Sequence, residues 1–183
     1  MRDTISMKLL KTLQRGKKSL SREAQSRIVH FVRSQRLEDD SFMDKSGKPD
    51  IYYTLFGWML SYVLGIRLTN EKMTAYLAAQ HPEQMDLIHY AAYMRCRQLC
   101  DLMIGGKGRF LLRSFASLDI RALDQFADVP HNDPQSPYSH YVWLSLLQDT
   151  GHKITDKEQI LDSLSHYQLP SGGFSNLPNS GVA

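Results

Sequence analysis

The chain has 183 residues, 42% hydrophobic, 10% aromatic and 22% charged, with a net charge of +3 and two cysteines. That composition excludes global disorder and a disulfide-stapled scaffold. The longest apolar stretch, Ile51 to Ile66, is broken by Tyr, Thr, Gly and Ser and falls short of a membrane span of roughly 18–20 residues. No apolar signal-peptide core follows Met1, so the expectation is a soluble, cytoplasmic protein. The net charge hides an asymmetry. Residues 1–36 hold ten Lys or Arg against Asp3 and Glu23, a net +8, while the other 147 residues hold twelve cations and seventeen acids, a net −5. A basic leading segment on an acidic body points to a solvated helix, an anionic membrane surface or a diphosphate-bearing ligand. Nucleic acid is not expected, because no recognition motif accompanies the charge.

In chain order, residues 1–20 read as a basic helical arm and residues 21–183 as a helical-repeat domain. In the arm, Ile5, Leu9, Leu10 and Leu13 lie at helical spacing opposite Lys8, Lys11 and Arg15, which suits docking on the body or lying on a lipid interface. Ser21 is an N-cap candidate for a helix to about Gln35, with Ala24, Ile28, Phe31 and Val32 on one face. Leu37 to Asp50 is loop, built from Asp-Asp-Ser, Lys-Ser-Gly and Pro-Asp turn chemistry. A second helix starts near Ile51 and ends at Gly65, and a third runs from about Asn70 to Ala79. A fourth is expected from Glu83 to Ile104, closed by Gly105-Gly106. Further helices are expected at Arg109–Ser117, Ile120–Phe126, Tyr138–Leu147 and Asp156–Tyr167. No run shows the alternation of a half-buried strand, so the fold class is all-α.

Parts of the chain echo one another. Residues 27–42 align on 159–174, an offset of 132 that matches Ile28 with Ile160, Val32 with Leu164, Leu37 with Leu169 and Phe42 with Phe174. A second offset, 86, matches Tyr52 with Tyr138, Leu60 with Leu146 and Gly65 with Gly151. Each unit reads helix, acidic or Gly-rich turn, Phe, irregular loop, aromatic helix, Gly. Repeats of this kind bury their apolar faces against neighbours.

The run Phe31 to Phe42 with Asp50 to Leu60, and the run His166-Tyr-Gln-Leu-Pro-Ser-Gly-Gly-Phe174, resemble repeats of the prenyltransferase and squalene/terpene cyclase superfamily. Gln168 and Gly172-Gly173-Phe174 fit its Gln-rich helix end and Gly-Gly-Phe turn, Asp40-Ser41-Phe42 is a degenerate version, and Tyr53-Thr54 opens the inner helix. The resemblance covers about 70 residues and implies helical-hairpin repeats of the α/α-toroid type around an apolar cavity for an isoprenoid or similar lipid chain. Tyr52, Tyr53, Phe56, Tyr138 and Tyr141 are the candidate lining residues. Aromatic faces pack well and attract passing cations through their quadrupoles, although aromatic residues at helical spacing are also ordinary core.

No catalytic set can be named. The superfamily's proton-donating Asp-x-Asp-Asp motif has only Glu38-Asp39-Asp40 as a counterpart, with Leu37 in place of the first Asp, in a turn where acids are normally solvated. The zinc set of the protein prenyltransferases has no counterpart either. His89, Cys96 and Cys100 share a helical stripe, but His89 is about 10 Å up the helix from Cys96, too far to share one ion, so the thiols read as packing. Gly105-Gly106-Lys107-Gly108-Arg109 reads as an interhelical loop before a phosphate site, and His131-Asn132-Asp133-Pro134 as a turn. No cofactor and no metal is expected. The last turn is followed by Ala183 where an inner helix would begin, so the expectation is a truncated or split chain, or an open toroid that self-associates. The alternative function is a noncatalytic helical-repeat module that binds a protein partner.

Overall fold

The computed structural model describes residues 4–116, 126, 136–154 and 157–175, the side chains of 106–116 excepted. The chain is all-α, and the described residues contain isolated bridges but no strand. It divides into two compact units, residues 1–117 and 118–183. The first holds α1 (Ile5–Ser19), α2 (Arg22–Ser34), α3 (Ile51–Leu64), α4 (Asn70–Ala78), a 3-10 turn (Pro82–Gln84) and α5 (Leu87–Ala116). The second holds α6 (Pro137–Asp149) and α7 (Lys157–Ser165).

In the first unit α3 is the hub, packed by α1, α2 and α5, while α4 packs on α5. Its sequence is apolar almost all round, as a helix covered on several sides requires. Trp58, Leu55, Met59 and Val63 of α3 meet Leu10 of α1, Val32 of α2 and Cys96 and Leu99 of α5 in one core. The basic arm therefore docks on the body: α1 buries Leu10, worth about 1.5–3 kcal/mol for a side chain of this kind. Lys17 Nζ also donates to Val63 O at 3.0 Å, near the carbonyl end of α3.

The helix ends follow local chemistry. Ser21 Oγ accepts from Ala24 N, Asp50 Oδ1 from Tyr53 N, and Ser136 Oγ from Ser139 N. Gly65 closes α3 at φ 76°, a left-handed conformation that glycine adopts without a Cβ penalty. Two expectations need correction. The fourth helix starts at Leu87, after Asp86 caps it through His89 N at 2.8 Å, and runs without a break to Ala116. Gly105-Gly106 does not close it, and Arg109 onward is the same helix rather than a separate one. Glycine inside a helix costs only about 1 kcal/mol of propensity and, unlike proline, raises no steric bar. The second correction is Phe31, expected on the buried face of α2: it is 61% exposed, whereas Val32 is 2% exposed. The expected helix at Ile120–Phe126, the turn at His131–Pro134 and the last residues after Ser175 lie outside the described residues or nearly so, Phe126 alone being described.

The loops repeat themselves in geometry. In the first unit Arg36 bridges Phe42, Leu37 N donates to Ser41 O at 2.9 Å, Asp40 N to Leu37 O, and Met43 N to Gln35 O. In the second, Gln168 bridges Phe174, Leu169 N donates to Gly173 O at 2.8 Å, Gly172 N to Leu169 O, and Ser175 N to Tyr167 O. Every pair is related by the offset of 132, and the left-handed residue falls at Asp40 (φ 64°) in one turn and at Gly172 (φ 85°) in the other. The offset of 86 likewise pairs Gly65 with Gly151, both at φ 76°, and the bond Ile66 N to Ser61 O with His152 N to Leu147 O, both 2.8 Å.

Candidate functional site

The turn at 36–42 shapes a largely apolar concavity. Its Phe42 amide donates to Thr54 Oγ1 at 2.9 Å, and Trp58 Nε1 donates to Asp40 O at 2.7 Å, so the turn is tied to α3 at two levels. The Phe42 ring then lies on the helix backbone at Gly57, where a Cβ would sit 2.2 Å from the ring. Only glycine permits that approach. Beside this ring, Phe31, Met43, Tyr53, Phe56 and Leu60 line a groove of about 290 Å³. Such a volume sits at the lower edge of ordinary ligand pockets, roughly 300–1,000 Å³.

The five candidate lining residues fall into two groups. On α3, Tyr53 (38% exposed) and Phe56 (42%) line the groove, and Tyr52 packs edge-on against both, at centroid distances of 5.9 and 5.0 Å. On α6, in the second unit, Tyr138 and Tyr141 are exposed and lie 6.5 Å apart with ring planes 31° apart. The sequence reading missed Phe31, Phe42 and Met43 as groove walls. The available signal was a glycine, Gly57, in the middle of an apolar helix, which marks close approach of another group.

The acidic cluster departs from the solvated turn expected of it. Asp40 is buried: its Oδ2 accepts from Thr69 N at 2.6 Å, at the start of α4, and its Oδ1 lies 3.6 Å from Arg36 Nε. Asp39 Oδ1 accepts from Ser41 N and Oγ within the turn, and Lys72 Nζ donates to Glu38 O. The Asp39 carboxylate holds the turn together, while the Asp40 carboxylate and the Glu38 carbonyl tie it to the start of α4.

A second concavity, about 340 Å³, is lined by Asp50, Tyr76, Asp86 and His89 among others. His89 places Nδ1 2.8 Å from Asp86 Oδ1 and Nε2 3.4 Å from Asp50 Oδ2. Partial burial pushes its pKa down, but the Asp86 hydrogen bond and the charges of Asp86 and Asp50 outweigh it and raise it above 6.5. Burial pushes the Tyr76 phenol up to about 12. In its charged form, an imidazole engaged on both nitrogens by helix-capping carboxylates clamps the starts of α3 and α5 together and has no lone pair for base chemistry. Cys96 and Cys100 are buried and outside any disulfide; Cys96 Sγ lies 3.9 Å from Ile51 O, and burial raises its pKa well above that of an ordinary thiol. A thiol so placed is inert packing. Among the described residues no group of three His, Cys, Asp or Glu is arranged to hold a metal ion. The Gly105–Arg109 segment lies within α5, so it offers no free helix N-terminus to a phosphate.

No family model, curated protein or solved structure matches this chain. No helix among the described residues is long and apolar enough to cross a membrane.

Proposed function

We propose that this protein binds a slender apolar chain, an isoprenoid or a similar lipid tail, in the aromatic groove between α2, the 36–42 turn and α3. One observation carries the reading. Phe31, Tyr53 and Phe56 stay 61, 38 and 42% exposed around a groove floored by the buried Phe42 ring. A folded protein that leaves three aromatic rings facing one concavity forgoes burial energy that a ligand recovers. The recurring turns, alike in hydrogen bonds and in left-handed residue, support a chain built from helical-hairpin repeats of the prenyltransferase and terpene cyclase type. Two buried cysteines outside any disulfide suit the reducing cytoplasm. The reading is of binding, with no reaction assigned.

Thermal unfolding of the full chain with farnesol, geranylgeraniol and dodecanol is the test. A ligand present at about a hundred times its Kd stabilises by about 2.7 kcal/mol, a shift of several degrees. The shift should vanish in Phe56→Ser, whose exposed ring contributes little to the unliganded fold. No shift with any chain length, together with capture of a protein partner through the same groove, overturns the lipid reading in favour of a protein-interaction module.

A further inference from the structure

α1 carries a second surface, independent of the aromatic groove. Its buried side, centred on Leu10, is spent on α3, so it cannot insert into a bilayer as a free amphipathic helix would. The outward side carries Lys8, Lys11, Arg15 and Lys18, all exposed, at i, i+3, i+7 and i+10, a single stripe about 15 Å long. α1 contains no acid, so successive cations on the stripe repel each other. On α2, by contrast, Arg27 is neutralised by Glu23 at 2.6 Å. Among the described residues Arg15 and Lys18 have no acidic partner. Together with Lys11, Gln14 and Gln25 they line an open cleft of about 570 Å³ beside the end of α3. The stripe is too long for one phosphate and suits a field of them. Leu9, 40% exposed, lies on the opposite side of the helix from the stripe. A row of cations with no acid among them matches the charge of an anionic lipid surface, whereas a single-stranded nucleic acid calls for stacking aromatics, which α1 lacks.

We infer that the outer face of α1 is a docking surface for an anionic membrane, held by Lys8, Arg15 and Lys18 on phosphate headgroups. Lys17 takes no part, because its ammonium is committed to Val63 O.

Co-sedimentation of the full chain with phosphatidylcholine vesicles, with and without phosphatidylglycerol, at low and raised salt tests this. Binding is expected only with phosphatidylglycerol and should weaken as salt rises. The Arg15→Ser/Lys18→Ser variant should bind about 30-fold more weakly with a flatter salt dependence. Leu9→Ser, on the opposite side of α1 from the stripe, should change little. Arg33→Ser, an exposed cation on α2 outside the cleft, should change little. All four side chains are exposed, and an unchanged unfolding midpoint checks that each variant folds. Equal binding to phosphatidylcholine alone overturns the inference, as does an Arg33→Ser loss as large as that of the double variant. Binding of inorganic pyrophosphate or single-stranded RNA in place of vesicles also overturns it.

Discussion

Replacing Gly57 with alanine should destabilise the first unit even though alanine is the better helix former. The introduced Cβ would lie 2.2, 2.3 and 2.4 Å from three Phe42 ring carbons, against about 3.5–4.0 Å for a relaxed contact between carbons. The ring must therefore retreat by more than about 1 Å. It has little room to do so: Phe42 is 4% exposed and its amide is fixed to Thr54 Oγ1 at 2.9 Å. Overpacking of this kind costs about 1–3 kcal/mol, from which alanine's propensity advantage of about 1 kcal/mol is subtracted. A net loss of up to about 2 kcal/mol is expected, seen as a lowered urea midpoint by far-UV circular dichroism without a change in slope. Phe42→Ala alone should cost about 3–5 kcal/mol, and in that background Gly57→Ala should become neutral or stabilising because nothing remains to clash. If Gly57→Ala is harmless in the wild-type background, or equally costly with and without the Phe42 ring, the ring-on-glycine contact is not what selects glycine.

Three further outcomes follow from the same geometry. Asp40→Ala strips Thr69 N and Arg36 of their carboxylate and should cost about 2–3 kcal/mol, whereas Asp40→Gly should be milder by up to about 1 kcal/mol because φ is 64° there; denaturant midpoints that reverse this order would refute the account. The raised pKa of His89 gives a stabilisation that is fully present below the ordinary value of 6.5 and is lost as pH rises through the higher folded value. NMR should therefore find the His89 ring titrating above 6.5, and His89→Gln should remove that part of the pH dependence of stability; a ring titrating below 6.5 would contradict the double carboxylate clamp. Ser61 Oγ is buried without a hydrogen-bond partner among the described residues, so Ser61→Ala should raise stability by about 1 kcal/mol in the same urea measurement, and a loss would show that the hydroxyl is satisfied.

What was legible in the sequence is what neighbouring residues decide. Ser21 as N-cap and Gly65 as C-cap are local events, and the offsets of 132 and 86 predicted residues that adopt matching turns. Tyr53 and Phe56 were candidates because the resemblance makes α3 an inner, cavity-lining helix, and both face the groove. What escaped depends on distant partners. Asp40 looked like a solvated turn acid because its partner, Thr69 N, lies 29 residues away. Phe31 looked like core because periodicity locates the apolar face of a helix without fixing how far the neighbouring helices cover it. The glycines at 105–106 looked like a stop because they weaken a helix, but weakening alone does not end one.

The two matching turns differ in one respect that bears on the order of folding. Phe42 is sealed against Gly57, while its counterpart Phe174 is 56% exposed, yet the backbone bonds of the two turns are the same. Ring burial is therefore not what bends the chain. The backbone bonds that make the bend all fall within residues 35–43, and loops of this size close in about 10–100 ns, well before helices dock. The turn can form first and present Phe42 as a finished knob, with α3 arriving afterwards as the surface shaped to receive it.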